Sequence, residues 1–141
     1  MIPANYFVFG TAALYVLHSV FVKLASGKID PYSGIFAWCC GSLLAGIVFF
    51  LYGKINTETS FSVSCGAFVF FAGIFITTGT LFYLLAFHRN VDFSFATPVV
   101  NVSVVMGGLL FGMALFGEPV SMNRIIGVVL GIVSIIFLVR S

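Results

Sequence analysis

Apolar residues fill this chain in long runs, and polar residues fall mainly in the short gaps between them. Five runs can be read, over about residues 5–24, 33–52, 61–87, 93–116 and 122–139. A hydrocarbon core about 30 Å thick takes about 20 helical residues to cross. Each run is therefore long enough to span it, and the third is long enough to tilt. A membrane β-strand would alternate with period two over about 10 residues. Runs such as Ile125-Ile126-Gly127-Val128-Val129-Leu130 show no such alternation. Inside lipid the backbone must satisfy its own hydrogen bonds, which a helix does within one segment. The pattern predicts an all-α integral membrane protein, a five-transmembrane-helix bundle.

The gaps are short. Ser26-Gly27-Lys28-Ile29-Asp30-Pro31 forms the first, where Gly breaks one helix and Pro can start the next. Residues 53–60, 88–92 and 117–121 form the others, with Asp92 and Ser121 as candidate N-caps for the helices that follow. No gap can hold a soluble domain, so the expectation is a single membrane domain over residues 1–141. The N-terminus lacks a basic segment, and its apolar run is too long for a secretory signal, so it is read as a permanent helix.

Composition sharpens this picture. Hydrophobic residues make up 61% of the chain and charged ones 7%, with a mean hydropathy of +1.21. A water-soluble domain of this size keeps too much surface exposed to hide that much apolar area. Cys39 and Cys40 lie in the second run and Cys65 near the start of the third, without zinc-ligand spacing. They read as small buried apolar side chains. There is no Ser-His-Asp arrangement, carboxylate pair, phosphate loop or basic cluster for nucleic acid. The expectation is no enzyme, no metal, no cofactor and no nucleic-acid partner.

Charge bears on orientation. With five spans, one side holds Lys23, Lys28, Arg89 and Arg140, and the other Lys54 and Arg124. The positive-inside rule puts the first set in the cytoplasm and the N-terminus outside. The bias is small enough that insertion in both orientations remains an alternative.

Polar side chains inside lipid are costly and usually face a partner or a cavity. In the first run Thr11, Tyr15, His18, Ser19 and Lys23 share one helix face. His18 is the only ionisable side chain well inside a span. It can bind substrate or carry a proton, or it is a neutral imidazole bonded to a neighbouring helix. The fourth run carries Ser94, Thr97 and Asn101 around Pro98. Pro98 has no amide hydrogen and clashes with the Ser94 carbonyl, which predicts a kink. Asn101 lines a site or makes an interhelical hydrogen bond. In the third run Thr80 and Tyr83 are three apart and face the same way. Trp38 is either an interfacial anchor or a surface on which a solute stacks. Gly41 in the second run, Gly108 and Gly112 in the fourth, and Gly127 and Gly131 in the fifth are expected to let helices pack closely. Glu118 reads as a solvated loop acid near a cation such as Arg124.

The segment 117–131, Gly-Glu-Pro-Val-Ser-Met-Asn-Arg-Ile-Ile-Gly-Val-Val-Leu-Gly, resembles the closing signature of the drug/metabolite transporter superfamily. Gly79-Thr80-Leu81-Phe82-Tyr83-Leu84-Leu85-Ala86-Phe87, followed by Phe95-Ala96-Thr97-Pro98, is similar to its third and fourth helices. Val20-Phe21-Val22-Lys23-Leu24-Ala25 is similar to the end of its first. Five helices equal one repeat of the EamA-like branch. The chain also resembles the small multidrug resistance proteins with one helix added. Where those carry a membrane-embedded glutamate, Tyr15 stands here, and no Asp or Glu lies inside any run.

The resemblance implies a transporter or half-transporter for a small organic solute, multi-pass in the cytoplasmic membrane of a bacterium or archaeon. It implies a path formed by two repeats of opposite orientation, a geometry common among transporters. The expected partners are the solute, the bilayer, and either a second copy in an antiparallel homodimer or a paired inverted subunit. Tyr15, His18, Ser19, Trp38, Thr80, Tyr83, Thr97 and Asn101 are the candidate path residues, with Pro98 setting a bend. Two rival readings are a flippase for a lipid-linked group and a non-transporting assembly subunit.

Overall fold

A computed structural model describes residues 4–56, 63–119 and 121–140. Five helices follow one another: α1 (Ala4–Ala25), α2 (Pro31–Asn56), α3 (Val63–His88), α4 (Phe93–Phe116) and α5 (Met122–Arg140). Their bounds track the apolar runs to within a few residues. The expected start of the third span at Phe61, much of the second connection and Val120 of the closing signature lie outside the described residues. Four helices are long and apolar enough to cross a bilayer, whereas the apolar part of the fifth, Met122–Phe137, is shorter. The 19 residues of α5 still rise about 28 Å, close to the thickness of a hydrocarbon core. The chain is an all-α membrane bundle.

Contacts divide it into two units, Met1–Asn90 and Val91–Ser141. In the first, α3 packs against both α1 and α2. The tight spot is where α1 ends, α2 begins and α3 ends. Val22, Pro31, Thr80, Leu84 and Phe87 are all buried there. A Cβ built on Gly34 would lie 3.4 Å from Leu84 Cδ1, so α2 and α3 approach closely at this level.

A short turn carries the chain from α1 to α2. The Ser26 amide donates to the Val22 carbonyl at 3.1 Å and the Lys28 amide to the Ala25 carbonyl at 3.1 Å. Gly27 supplies the positive φ of 78° that this turn needs. Asp30 then caps α2: its Oδ1 accepts the amides of Tyr32 at 2.9 Å and Ser33 at 3.3 Å. Pro31, at the first helical position, has no amide to leave unsatisfied.

In the second unit α4 packs on α5. Asp92 occupies the N-cap of α4, as expected, but makes no side-chain cap bond. Ser121 does cap α5, its Oγ accepting the Arg124 amide at 3.4 Å. Helix α4 runs through Pro98 without a break. Gly117 closes it in the left-handed conformation, with φ 61°.

Candidate functional site

On α1 the polar stripe divides in two. Thr11 and Tyr15 are exposed, while His18, Ser19 and Lys23 are half-buried toward the rest of the first unit. Two of the hydroxyls are committed to their own helix. Thr11 Oγ1 donates to the Phe7 carbonyl at 2.8 Å, and Ser19 Oγ to the Tyr15 carbonyl at 3.0 Å. This back-bonding lets a hydroxyl sit in lipid with its proton satisfied. His18 differs. Its ring meets Trp38 of α2 edge to face, 6.1 Å between centroids and 66° between planes. Its Nε2 is buried and finds no hydrogen-bond partner among the described residues. Two candidates chosen for separate reasons thus stand together. Trp38 lies about 10 Å along α2 from its first residue, half-buried against another helix.

Thr80 of α3 is buried, 4% exposed, and its Oγ1 donates to the Ile76 carbonyl at 2.9 Å. Tyr83 is half-buried with its ring 4.4 Å from that of Phe87. The Lys23 ammonium sits over the same Phe87 ring, 4.7 Å from its centroid. This cation on an aromatic pair was not singled out from the sequence. Its signal is weak, because a phenylalanine in a run so rich in phenylalanine marks no particular face.

A lateral groove of about 480 Å³ runs between α2 and α3. Trp38, Cys39, Ser42, Phe70, Gly73 and Thr77 contribute to its walls. Trp38 is the one candidate path residue that borders it.

In the second unit Thr97 and Pro98 are half-buried, and Asn101 is exposed. Without an amide hydrogen at Pro98, the Ser94 carbonyl lacks its helical donor. The glycines behave unequally. A Cβ on Gly131 would come within 3.0 Å of Val102 Cγ1, so α5 meets α4 closely there. Gly41, Gly108 and Gly127 face open space.

Gly112 has a local neighbour instead. The amides of Gly117 and Glu118 both reach its carbonyl, the latter at 3.0 Å. The Glu118 carboxylate folds over it, with Oε2 3.4 Å from where a Cβ would be. Arg124, the cation expected near Glu118, gives its Nη1 to the Pro119 carbonyl at 3.3 Å. The Gly-Glu of the closing signature therefore works as the end cap of α4.

Outside the helices, Asp30 is held below its ordinary carboxylate value. Hydrogen bonds from Ser33 are the main cause, the Tyr32 amide adds to them, and the charge of His88 contributes least. Asp30 too was missed in the sequence, although an acid followed directly by proline is a legible start signal. Among the described residues no three His, Cys, Asp or Glu side chains are grouped to hold a metal ion.

The EamA-like transporter family matches the chain over residues 2–140. No curated protein and no solved structure matches it.

Proposed function

The chain belongs to the EamA-like transporter family, and we propose that it moves a small organic solute by alternating access between two copies inserted in opposite senses. The observation that carries this reading is the exposure of polar side chains within the spans. Tyr15 is 61% exposed in the middle of α1, and Asn101 is exposed on α4. Hydrocarbon offers neither a hydrogen-bond partner, so a second protein surface or a polar cavity is the favourable neighbour. The buried, unpartnered Nε2 of His18 argues the same way from inside the first unit.

The candidate lining of the first unit is Tyr15, His18, Ser19, Trp38, Thr80 and Tyr83. The second unit offers Thr97 and Asn101, beside the carbonyl that Pro98 leaves open. Ser19 and Thr80 spend their protons on their own helices, so toward a solute they act as acceptors. His18 has both a donor and an acceptor nitrogen in its neutral form and is the residue through which protons would couple to transport.

The test is topology joined to flux. Single cysteines at Lys28 and Lys54, in a variant lacking Cys39, Cys40 and Cys65, report the two sides of the membrane in intact cells. Labelling of each site from both sides, with solute counterflow in proteoliposomes, is the expected result. One fixed orientation without an inverted partner, and no flux, would leave the assembly-subunit reading in its place.

A second reading is supported by the groove between α2 and α3. A groove that opens sideways at mid-depth suits the apolar tail of a lipid-linked substrate, as a flippase would require. Quenching of Trp38 fluorescence by phospholipids brominated along the acyl chain, stronger than at a buried control indole, would favour it over the soluble-solute reading.

A further inference from the structure

Two lysines of the first unit stand at equivalent places, each two residues from the end of its helix: Lys23 on α1 and Lys54 on α2. Lys54 behaves as a lysine at a membrane edge should. It is exposed, and its Nζ lies 5.9 Å from a ring of its own helix, Phe50. Such a side chain runs its stem along apolar surface and keeps its charge in the headgroups. Lys23 is turned the other way. It is half-buried, and its Nζ lies 4.7 Å from Phe87 on a different helix. Phe87 is 2% exposed and backed by Tyr83. Among the described lysines and arginines Lys23 alone is half-buried, and all the others are exposed.

This inward cation ends the line formed by Thr11, Tyr15 and Ser19, at steps of four residues on α1. No Asp or Glu lies within any of the five helices. Anything that moves along this stripe passes hydroxyls and an imidazole and arrives at a positive charge seated on aromatic rings. A ring face stabilises the ammonium where water is scarce, and an ammonium has three donors to share among acceptors.

We propose that the ligand of this site carries an anionic group (carboxylate, phosphate or sulfonate) that docks on Lys23. The inference rests on the transport reading only in taking the α1 stripe as the path. The same anionic chemistry can be carried by a free solute or by a phospholipid headgroup.

The experiment uses the full chain in detergent micelles and two probes of nearly equal size, benzenesulfonate and neutral benzenesulfonamide, with binding read by equilibrium dialysis. The wild type is expected to bind the sulfonate at least about tenfold more tightly, as a charge-assisted contact would give. Lys23→Gln should bring the ratio to about one, Lys23→Arg should keep it, and Lys54→Gln should leave it unchanged. If Lys23→Gln does not fold, Lys23→Met, which keeps the stem against Phe87, reads the same ratio. Equal binding of the two probes, no binding of either, or a ratio that survives the loss of Lys23 overturns the proposal.

Added phosphatidylglycerol separates the sources. If it displaces the sulfonate and phosphatidylcholine does not, the docked group is the lipid phosphate. If the sulfonate stays, the docked group belongs to a free solute. Anion binding at Lys23 without flux in proteoliposomes would keep this inference and remove the transport reading. Flux without anion preference would do the reverse.

Discussion

The first unit has two ends built from the same kind of sequence, and among the described residues only one of them buries side chains. Where α1 finishes, α2 starts and α3 finishes, Val22, Pro31, Thr80, Leu84 and Phe87 are buried. Toward the other end Phe7, Phe9, Phe49, Ile55 and Phe68 are all exposed. Both ends are apolar, so hydrophobicity did not decide between them. The closed end has a tight turn, a capped helix start, a close approach at Gly34 and a cation seated on a ring of another helix. In lipid there is no solvent force driving apolar helices together, so close packing and polar contacts decide where they meet. The open end is left to lipid or to another chain.

The strongest test of this contrast uses two phenylalanines of α3. Phe87→Ala removes a ring that is 2% exposed and should destabilise the fold by about 3–5 kcal/mol. Phe75→Ala removes one that is 75% exposed and should shift stability by no more than about 0.5 kcal/mol. Thermal unfolding of the monomer in micelles measures both, and equal losses would dissolve the distinction between the ends.

A second test asks whether the half-buried part of the α1 stripe is the working part. His18→Ala should flatten the pH profile of transport across about pH 5 to 8. A proteoliposome flux assay that shows the wild-type profile in this variant removes His18 from the mechanism. Asn101 probes the uncovered surfaces of the second unit. Asn101→Leu should weaken association of two copies by about 0.6–2 kcal/mol, the range for a hydrogen bond between membrane helices. Sedimentation in density-matched micelles would show it, and unchanged association would place Asn101 away from the contact.

The smallest effect is expected at Asp30. Its folded carboxyl lies below the ordinary value of 3.8, so the ionised form is the one the fold favours. That stability is fully present above the ordinary value and is lost as pH falls through the depressed one. Asparagine caps helices about as well as aspartate, so Asp30→Asn should match the wild type at neutral pH. It should then lose less stability between about pH 5 and pH 2. Parallel melting curves for the two proteins over that window would show that the cap is not what holds the closed end at its turn.

The helices were legible because lipid imposes a length and forbids open backbone, and both demands are written in composition. The faces were not. A helix that is apolar all round has no stripe to say which side packs, so Phe87, Leu84 and Gly34 could not be told from Phe75, Leu44 or Gly46. The polar stripe on α1 was visible in the sequence, but it did not reveal that Thr11 and Tyr15 are exposed while His18, Ser19 and Lys23 turn inward, that Thr11 and Ser19 return their protons to their own helix, or that His18 Nε2 finds no partner among the described residues. The closing Gly-Glu was conspicuous as a signature and said nothing of its work. Only the geometry at Gly112 makes it a cap.

The His18–Trp38 contact has a further consequence. Trp38 is the chain's one tryptophan, and the imidazole stands 6.1 Å from it, edge to face. An imidazolium accepts an electron from an excited indole, and a neutral imidazole does so far less. The unlabelled protein therefore carries its own optical read-out of the proton on His18. Its emission dims when the ring is charged and recovers when the ring is neutral.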